Sequence, residues 1–321
     1  MTFQAPTPTP PGLWRRTPPA IFPPIMGLFG LGLAWRAAIG AFNVPVAISD
    51  AILGATALLF VWAALAYAVK ILRRPSALTE DLKILPGRAG VAAAMLCLYL
   101  LSLALTPLYP LAAWVVLVLG VAMHGMVILA TIAVFLRGPA EQRRISPVWH
   151  LMFVGPVIAA LAALGLDVWP LALAVGAATG MVAIAVWSVS LDQLTSETVP
   201  APLRPLLAIH LAPAALLGLL ANGLELDLVA TGFAILSAVI LGFLVIRAGW
   251  LVESGFSALW GAFTFPLAAT ATFWLSMGAN WRYGGAVLLV AATLIVPWIA
   301  GKVIQAWVKG QLAIRTNASI A

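Results

Sequence analysis

The feature that most constrains the fold is a tract of 48 consecutive residues, from 89 to 136, that contains no Asp, Glu, Lys or Arg. A helix needs about 20 apolar residues to cross a bilayer, so this tract is long enough for two crossings. Other charge-free tracts follow one another along the chain. With 63% hydrophobic and only 8% charged residues, the chain has too little charge to cover the surface of a soluble protein of its length. The sequence therefore predicts an all-α integral membrane protein.

The boundaries between the charge-free tracts contain Pro, Gly and Asn, which end helices. They divide the chain into ten predicted transmembrane helices. These are predicted at residues 20–40, 47–72, 89–106, 109–136, 147–165, 168–191, 203–221, 226–251, 257–279 and 283–308. The predicted domains are accordingly a proline-rich tail over residues 1–19, a ten-helix transmembrane domain over 20–308 and a second tail over 309–321.

The basic residues are distributed unevenly between the two ends of the predicted helices. With the N-terminus inside, fifteen of the 17 basic residues lie in inside segments, and only Arg36 and Arg282 lie outside. Cytoplasmic segments of membrane proteins carry such an excess of Lys and Arg. We therefore predict an even number of helices with both tails in the cytoplasm. Because the basic residues lie at helix ends, and not in a patch with aromatics, no nucleic-acid partner is predicted.

Four odd-numbered predicted helices contain a proline: Pro24 in helix 1, Pro156 in helix 5, Pro213 in helix 7 and Pro266 in helix 9. The prolines are 132, 57 and 53 residues apart, so the first gap leaves room for one more repeat, in predicted helix 3, where the tract 90–94 has no proline. This spacing predicts five helical hairpins. Proline frees a backbone carbonyl, which is tolerated where backbone is buried in protein or lines a hydrated cavity. The odd-numbered helices are therefore predicted to surround a shared axis, although such kinks also serve packing alone.

No Asp or Glu lies in the middle of a predicted helix. Carriers coupled to protons or sodium usually hold a carboxylate inside the membrane, because coupling needs a group that titrates or binds the ion. The pattern therefore favours passive permeation. It also argues against an enzyme, since a membrane enzyme needs clustered acids or histidines. The single cysteine, Cys97, lies in an apolar tract, and no internal disulfide, metal site or cofactor is predicted.

Three histidines and two arginines are the polar residues that bear on a pathway through the membrane. His210 lies three residues before a proline, where the backbone is disrupted, and is the histidine predicted to face a pore. His124 and His150 are interpreted as a packing and an interfacial residue. Arg36, which follows a tryptophan, has the pattern of an interfacial anchor. An arginine at a pore mouth would also attract anions, so Arg36 and Arg204 are the candidate mouth residues.

Predicted helix 9 contains the sequence Phe263-Thr264-Phe265-Pro266. An aromatic side chain at a proline kink can close a narrow pore, because a hydrophobic constriction excludes water. The alternative is an ordinary phenylalanine in the helix packing core.

The ordered set of proline motifs resembles the tellurite-resistance/dicarboxylate transporter family, which includes TehA and the plant slow anion channels. The helix 9 motif is the most specific match, and the resemblance covers about residues 17–310. The supporting matches are Phe22-Pro23-Pro24-Ile25-Met26-Gly27 with Trp35, Gly155-Pro156, and Leu203-Arg204-Pro205 with Ala212-Pro213. Predicted helix 3 departs from the pattern, since the proline expected there is missing.

The resemblance implies a homotrimer in the cell (inner) membrane, with each protomer a quasi-five-fold ring of five hairpins around its own central pore. By position, Phe265 corresponds to the residue that closes the pore, and Phe263 is the second choice. The resemblance also implies a function as a membrane channel for small anions. The alternative is a carrier that exchanges C4-dicarboxylates or tellurite, or transports them with protons. A membrane enzyme or a scaffold is a third class, for which the sequence lacks a polar cluster.

Overall fold

The structure is a computed structural model that describes residues 12–321, and in these residues it contains helices and no strand. The first eleven residues of the predicted N-terminal tail lie outside the described part. The α-helices are α1 (Phe22–Phe42), α2 (Val46–Arg73), α3 (Ser76–Lys83), α4 (Leu85–Leu105), α5 (Pro110–Arg137), α6 (Val157–Gly165), α7 (Trp169–Ser196), α8 (Leu211–Gly223), α9 (Asp227–Ile246), α10 (Ala248–Leu251), α11 (Gly261–Met277), α12 (Trp281–Val308) and α13 (Gln311–Arg315). A π-helical segment, His150–Val154, precedes α6, and 3₁₀ segments occur at Pro19–Ile21, Ala140–Arg143, Ala201–His210 and Ala258–Trp260.

In the described chain, nine helical spans are long and apolar enough to cross a membrane. The remaining predicted crossing corresponds to the shorter apolar segment His150–Gly165. The protein is therefore a multi-pass, all-α membrane protein, as predicted. The count of ten crossings stays a prediction, because it depends on that short segment.

Several spanning helices begin where the sequence places a proline in the first turn. Pro23, Pro86, Pro110 and Pro170 occupy this position in α1, α4, α5 and α7. A proline there costs no helical hydrogen bond, because the first N–H groups of a helix have no partner within it. These prolines define helix starts.

The spanning helices fall into two groups by burial. In the central part of α4, 78% of the residues are buried within the protein, and in the Ala201–Gly223 span 83% are; in α9 only 22% are. The poorly buried helices α2, α5, α7, α9 and α12 expose large apolar side chains, such as Leu58, Val118 and Met181. A lipid environment solvates such surfaces, so these helices form the outer layer of the molecule.

The well-buried helices contact one another in a closed cycle. α1 contacts α4, α4 contacts α6, α6 contacts α8, α8 contacts α11, and α11 returns to α1. Each of them also packs against the outer helix that follows it in the chain, namely α2, α5, α7, α9 and α12. These contacts agree with the hairpins that the proline spacing predicts, and they place α1, α4, α6, α8 and α11 inside. We call these five the inner helices.

Both ends of the described chain lie on the same face of the molecule, which we call the terminal face. The backbone N–H of Ala321 donates to the carbonyl oxygen of Arg15 at 3.0 Å. The short helix α13 buries Leu312 and Ala313 against the rest of the protein. The segment predicted as a cytoplasmic tail over residues 309–321 is thus packed against the helical domain.

Candidate pore

Pro24 and Pro213 lie at a change of helix type. Pro24 is the third residue of α1, directly after the 3₁₀ turn Pro19–Ile21. Pro213 is the third residue of α8, directly after the long 3₁₀ segment Ala201–His210. A 3₁₀ segment of this length is uncommon and often marks a functional hinge. These two prolines therefore occur where an irregular segment continues as an α-helix.

Pro156 and Pro266 interrupt their segments in different ways. Pro156 stands between the π-helical turn His150–Val154 and the first residue of α6. Pro266 lies inside α11, as predicted. In contrast, α4 is an uninterrupted α-helix after its first-turn proline. The departure of predicted helix 3 from the proline pattern thus corresponds to a regular helix.

A central cavity of about 560 Å³, including its open mouth, lies among the inner helices and the irregular segments that precede them, near the terminal face. Each inner helix, or the irregular segment that precedes it, contributes to the wall of this cavity, and the wall is apolar. The lining residues are Ala20, Pro23, Met26, Pro86, Ala89, Ala93, Leu151, Leu206, Ile209, Ala212, Ala258, Leu259, Gly261, Ala262, Phe265 and Pro266. Because many of these residues lie at the start of their helical segments, the cavity lies at the end of the inner helices that is nearest the terminal face.

A second cavity, of about 260 Å³, lies deeper among the same helices. Leu96, Val154, Ile158, Pro213 and Leu216 belong to its lining and not to that of the first cavity. The two cavities share one set of residues: Met26, Leu151, Ile209, Ala212 and Phe265. This shared set forms the boundary between the cavities, and Phe265 is its aromatic member.

The ring of Phe265 packs tightly against α1. Phe265 is only 3% exposed. A Cβ atom at Gly30 would lie 3.0 Å from Cδ2 of the ring, so the lack of a side chain at Gly30 allows this contact. One helical turn earlier, a Cβ atom at Gly27 would lie 2.2 Å from the Thr264 hydroxyl oxygen. The two glycines therefore let α1 approach the Phe265 segment of α11 closely.

Phe263 faces a different part of the molecule. Its ring makes an edge-on contact with Trp260, with 5.8 Å between ring centroids. Trp260 in turn packs against Phe256 and Trp298, so Phe263 joins an aromatic cluster between α11 and α12. Phe263 is absent from the described lining of both central cavities. The structure thus separates two phenylalanines that the sequence motif left as alternatives.

Arg36 bridges α1, α2 and α4. Its guanidinium donates to the carbonyl oxygen of Ala104 at 3.0 Å, near the end of α4, and lies 3.3 Å from the Asp50 carboxylate. A cation is favoured at a helix C-terminus because the last carbonyl groups lack partners there. Arg36 thus connects three helices, while its role as an interfacial anchor and its action on anions at a pore mouth stay predictions.

Arg204, the second candidate mouth residue, is held by several contacts near the terminal face. Nε donates to the Val199 carbonyl oxygen at 3.0 Å, and Nη1 pairs with the Glu253 carboxylate. The guanidinium also lies 4.5 Å from the ring centroid of Trp250. These contacts clamp the start of the 3₁₀ segment to the end of α10, and the effect of the charge on permeating ions stays a prediction.

His210 lies beside the central cavities, and neither of their linings includes it. Its Nδ1 is 2.9 Å from Nε2 of His150, and His150 borders the deeper cavity. This pair joins residues 60 positions apart. From the sequence, His150 was interpreted as interfacial, and its pairing with His210 was not predicted. Only the packing of the helices brings the π-helical and 3₁₀ segments together.

The described wall of the two central cavities contains no Asp, Glu, Lys or Arg, and His150 is its one titratable side chain. Residues 12–321 also contain no group of three His, Cys, Asp or Glu side chains that could hold a metal ion. In channels, a hydrophobic constriction can stop conduction by excluding water.

Comparison with known protein families gives a match over most of the chain. Residues 16–304 match the family model SLAC1, described as voltage-dependent anion channel. No curated protein gives a significant match. The match spans nearly the whole helical domain, including every inner helix. The chain therefore belongs to the SLAC1 family of voltage-dependent anion channels, whose members are embedded in lipid and let anions permeate.

Proposed function

We propose that the protein is a channel whose pathway for small anions runs along the axis enclosed by the inner helices, with Phe265 as the gate. The observation that carries this proposal is the position of Phe265 on the boundary between the two axial cavities. An apolar side chain there leaves no space for a hydrated ion, and dewetting of such a constriction stops conduction. The closed cycle of contacts among α1, α4, α6, α8 and α11 supports a ring around this axis.

The terminal face is the cytoplasmic face in this proposal, and the membrane is the cell (inner) membrane. Support comes from the basic residues, fifteen of 17 of which lie in segments on the side of the chain ends. The positive charge of this face would raise the local concentration of anions near the pore. Beyond this face, an anion can move through the neutral, apolar passage without the help of a titratable group, and this favours passive flux.

The protein is further proposed to assemble as a homotrimer in which each protomer has its own pore. The outer helices expose apolar side chains that either lipid or a second protomer can cover. Native mass spectrometry of the protein in detergent, at several protein concentrations, tests this assembly. A species of three chains is the expected result, and a monomer at all concentrations would contradict the trimer without affecting the pore within one protomer.

The test of the gate compares two phenylalanines of the same helix. Purified protein is reconstituted in planar bilayers, and currents are recorded with chloride, nitrate and malate as the main anion. We expect Phe265→Ala to raise the anion current at least several-fold, because the boundary between the cavities is removed. Phe263→Ala is the matched control, with the same change of volume, and is expected to leave the current near the wild-type level.

Two results would overturn the proposal. Equal currents in wild type and Phe265→Ala would remove Phe265 from the gate. Saturable malate uptake into proteoliposomes that collapses with an uncoupler would replace the channel by a proton-coupled dicarboxylate carrier. Flux that is linear in concentration and follows the membrane potential is the result expected for a channel.

A further inference from the structure

A separate pocket, which we call the lateral pocket, lies on the terminal face beside the central cavities. The start of α4, the loop over residues 138–147, the end of α7 and the 3₁₀ segment Ala201–His210 bound it. It encloses about 1330 Å³, including its open mouth, which is more than twice the volume of the central cavity. The lateral pocket is also far more polar than the axial passage, so its chemistry differs from that of the proposed pore.

Basic side chains outnumber acidic ones in the lateral pocket. Lys83, Arg88 and Arg144 line it together with Glu141 and Glu197. Arg144 and Glu197 form an exposed ion pair with each other and cancel. Of the remaining charges, Lys83 and Arg88 are positive and the exposed Glu141 is negative. The pocket therefore has an excess of positive charge. Such a pocket attracts anions from solution.

Arg88 is the unusual member of this set, because it is buried without an acidic partner. The residue is 4% exposed, Nε donates to the Leu82 carbonyl oxygen at 3.1 Å, and the guanidinium lies 4.6 Å from the ring centroid of Phe135. Within residues 12–321, Arg88 makes no salt bridge. A buried charge is costly unless it is paired, and a guanidinium binds phosphate or carboxylate oxygens through two parallel hydrogen bonds.

Four further lining residues have buried polar atoms without a hydrogen-bond partner in the described chain: Ser190 Oγ, Ser146 Oγ, His210 Nε2 and Gln142 Oε1. Ser190 is 5% exposed and His210 is 7% exposed. Native proteins leave few buried polar side-chain atoms unpaired, so four in the wall of one pocket call for an explanation. Gln142 Oε1 is an acceptor and does not belong to the set of donors. A ligand that accepts hydrogen bonds would satisfy both hydroxyl groups.

One of the two tautomers of the histidine pair makes His210 a donor toward the lateral pocket. The hydrogen bond between His150 Nε2 and His210 Nδ1 needs one proton, and the far nitrogens, His150 Nδ1 and His210 Nε2, both lack partners in the described chain. Each of the two tautomeric arrangements of the neutral pair leaves one unpaired N–H and one unpaired acceptor. When His150 Nε2 donates, the unpaired N–H is that of His210 Nε2, a residue that lines the lateral pocket, where a ligand can accept from it.

We propose that the lateral pocket binds a phosphate group, with the Arg88 guanidinium, the hydroxyl groups of Ser146 and Ser190 and the His210 Nε2–H as donors. A tetrahedral oxyanion offers several acceptor oxygens to this set of donors and supplies the charge that Arg88 lacks. The phosphate group belongs either to a soluble phosphorylated molecule or to a lipid headgroup, since the pocket lies where helix ends meet the membrane surface. Through the His210–His150 contact, the occupied pocket adjoins the wall of the deeper axial cavity.

The test measures phosphate binding to the full-length protein in two arms. In the first, inorganic phosphate is titrated calorimetrically into protein in phosphatidylcholine nanodiscs at constant ionic strength. In the second, native mass spectrometry counts phosphatidic acid bound to protein from nanodiscs that contain this lipid. We expect Ser190→Ala and Arg88→Lys each to weaken binding about ten-fold in one of the arms, because each removes a hydrogen bond to a charged ligand.

Ser190→Ala is the sharper variant, because the hydroxyl group has no partner to lose in the ligand-free protein. Removing an unpaired buried hydroxyl is neutral or stabilising, so the thermal midpoint without ligand should not fall. Ser188→Ala is the matched control: Ser188 is exposed on the same helix and bonds to the Ile184 carbonyl oxygen. Phe265→Ala controls for phosphate in the pore. Both controls should bind like wild type.

If Ser190→Ala and Arg88→Lys weaken the binding of inorganic phosphate, in the first arm, the ligand is a soluble phosphate. If they weaken the binding of phosphatidic acid, in the second arm, the ligand is a lipid headgroup. Both results support the proposal. Absence of binding in both arms, or wild-type affinity of Ser190→Ala and His210→Phe in both, would overturn it. Weakening by Phe265→Ala alone would assign the phosphate to the axial passage and would equally overturn the lateral site.

Discussion

Lys70 Nζ lies 2.8 Å from Asp81 Oδ2, and both side chains are fully buried. The same carboxylate accepts a hydrogen bond from the Tyr67 hydroxyl at 2.9 Å and one from the backbone N–H of Ser319 at 2.9 Å. Lys70 also donates to the carbonyl oxygen of Thr17 at 3.1 Å. This ion pair therefore connects α2 and α3 with both ends of the described chain, and explains why the C-terminal segment packs against the domain.

Removing one partner of this pair should destabilise the protein strongly. Lys70→Met leaves the Asp81 carboxylate buried without a cation, and Asp81→Asn leaves the ammonium group without an anion. We expect each change to lower the free energy of unfolding by about 3–5 kcal/mol, because an uncompensated buried charge is costly. Unfolding of the purified protein in mixed micelles, followed by tryptophan fluorescence, measures the effect.

The exposed ion pair between Arg74 and Glu80 is the control for this effect. Both side chains are 40% exposed, and Glu80→Gln should cost less than about 1 kcal/mol. A double change, Lys70→Met with Asp81→Leu, should recover much of the loss of the single variants, because no charge is then left buried. Single variants as stable as Glu80→Gln would show that the pair carries no such stabilisation.

Gly30 and Phe265 should be energetically coupled. A methyl group at Gly30 would meet the Phe265 ring at 3.0 Å, so Gly30→Ala must displace the ring. We expect Gly30→Ala to change the anion current of the wild-type channel at least two-fold. The same change in the Phe265→Ala background should have a smaller effect, because the ring is gone and only the contact with Ala268 Cβ, at 3.1 Å, is left. Equal effects of Gly30→Ala in both backgrounds would contradict the contact as part of the gate.

Arg36 should act mainly on stability. Its guanidinium donates to the Ala104 carbonyl oxygen and pairs with Asp50. Arg36→Gln should therefore lower the free energy of unfolding by about 1–3 kcal/mol, the usual cost of a lost hydrogen bond to a charged group. We expect the ratio of nitrate to chloride permeability to stay unchanged in bilayer recordings. A changed ratio at unchanged stability would instead place Arg36 at the mouth of the pore.

The orientation can be tested with single thiols on the two faces. Cys97 is buried, and Cys97→Ala provides a cysteine-free background. In this background, Arg315→Cys places a thiol on the terminal face, and Asn280→Cys places one in the loop between α11 and α12. Both positions are exposed. A membrane-impermeant maleimide added to intact cells should label only the Asn280→Cys variant, because the terminal face is proposed to be cytoplasmic. Labelling of only the Arg315→Cys variant would invert the topology.

The sequence identified the parts of the fold that depend on local composition. The charge-free tract over residues 89–136 predicted two crossings, and α4 and α5 occupy it. This inference works because lipid acts on each segment separately and requires every crossing to be apolar and internally hydrogen-bonded. The proline spacing likewise indicated which helices form hairpins. It did not predict the 3₁₀ segment Ala201–His210 or the π-helical turn His150–Val154, because proline removes a hydrogen bond without specifying its replacement.

The contacts between distant residues were decided only by the tertiary structure. Phe263 and Phe265 are two residues apart and chemically identical, yet packing directs one toward the aromatic cluster and the other toward the axial cavities. His150 and His210 were assigned to an interface and to a pore, and the structure joins them as a pair. By itself, the sequence determined that the chain spans a membrane repeatedly, because hydropathy is a property of each segment. Which side chains meet inside depends on how the inner helices pack together, and that is a property of the whole chain.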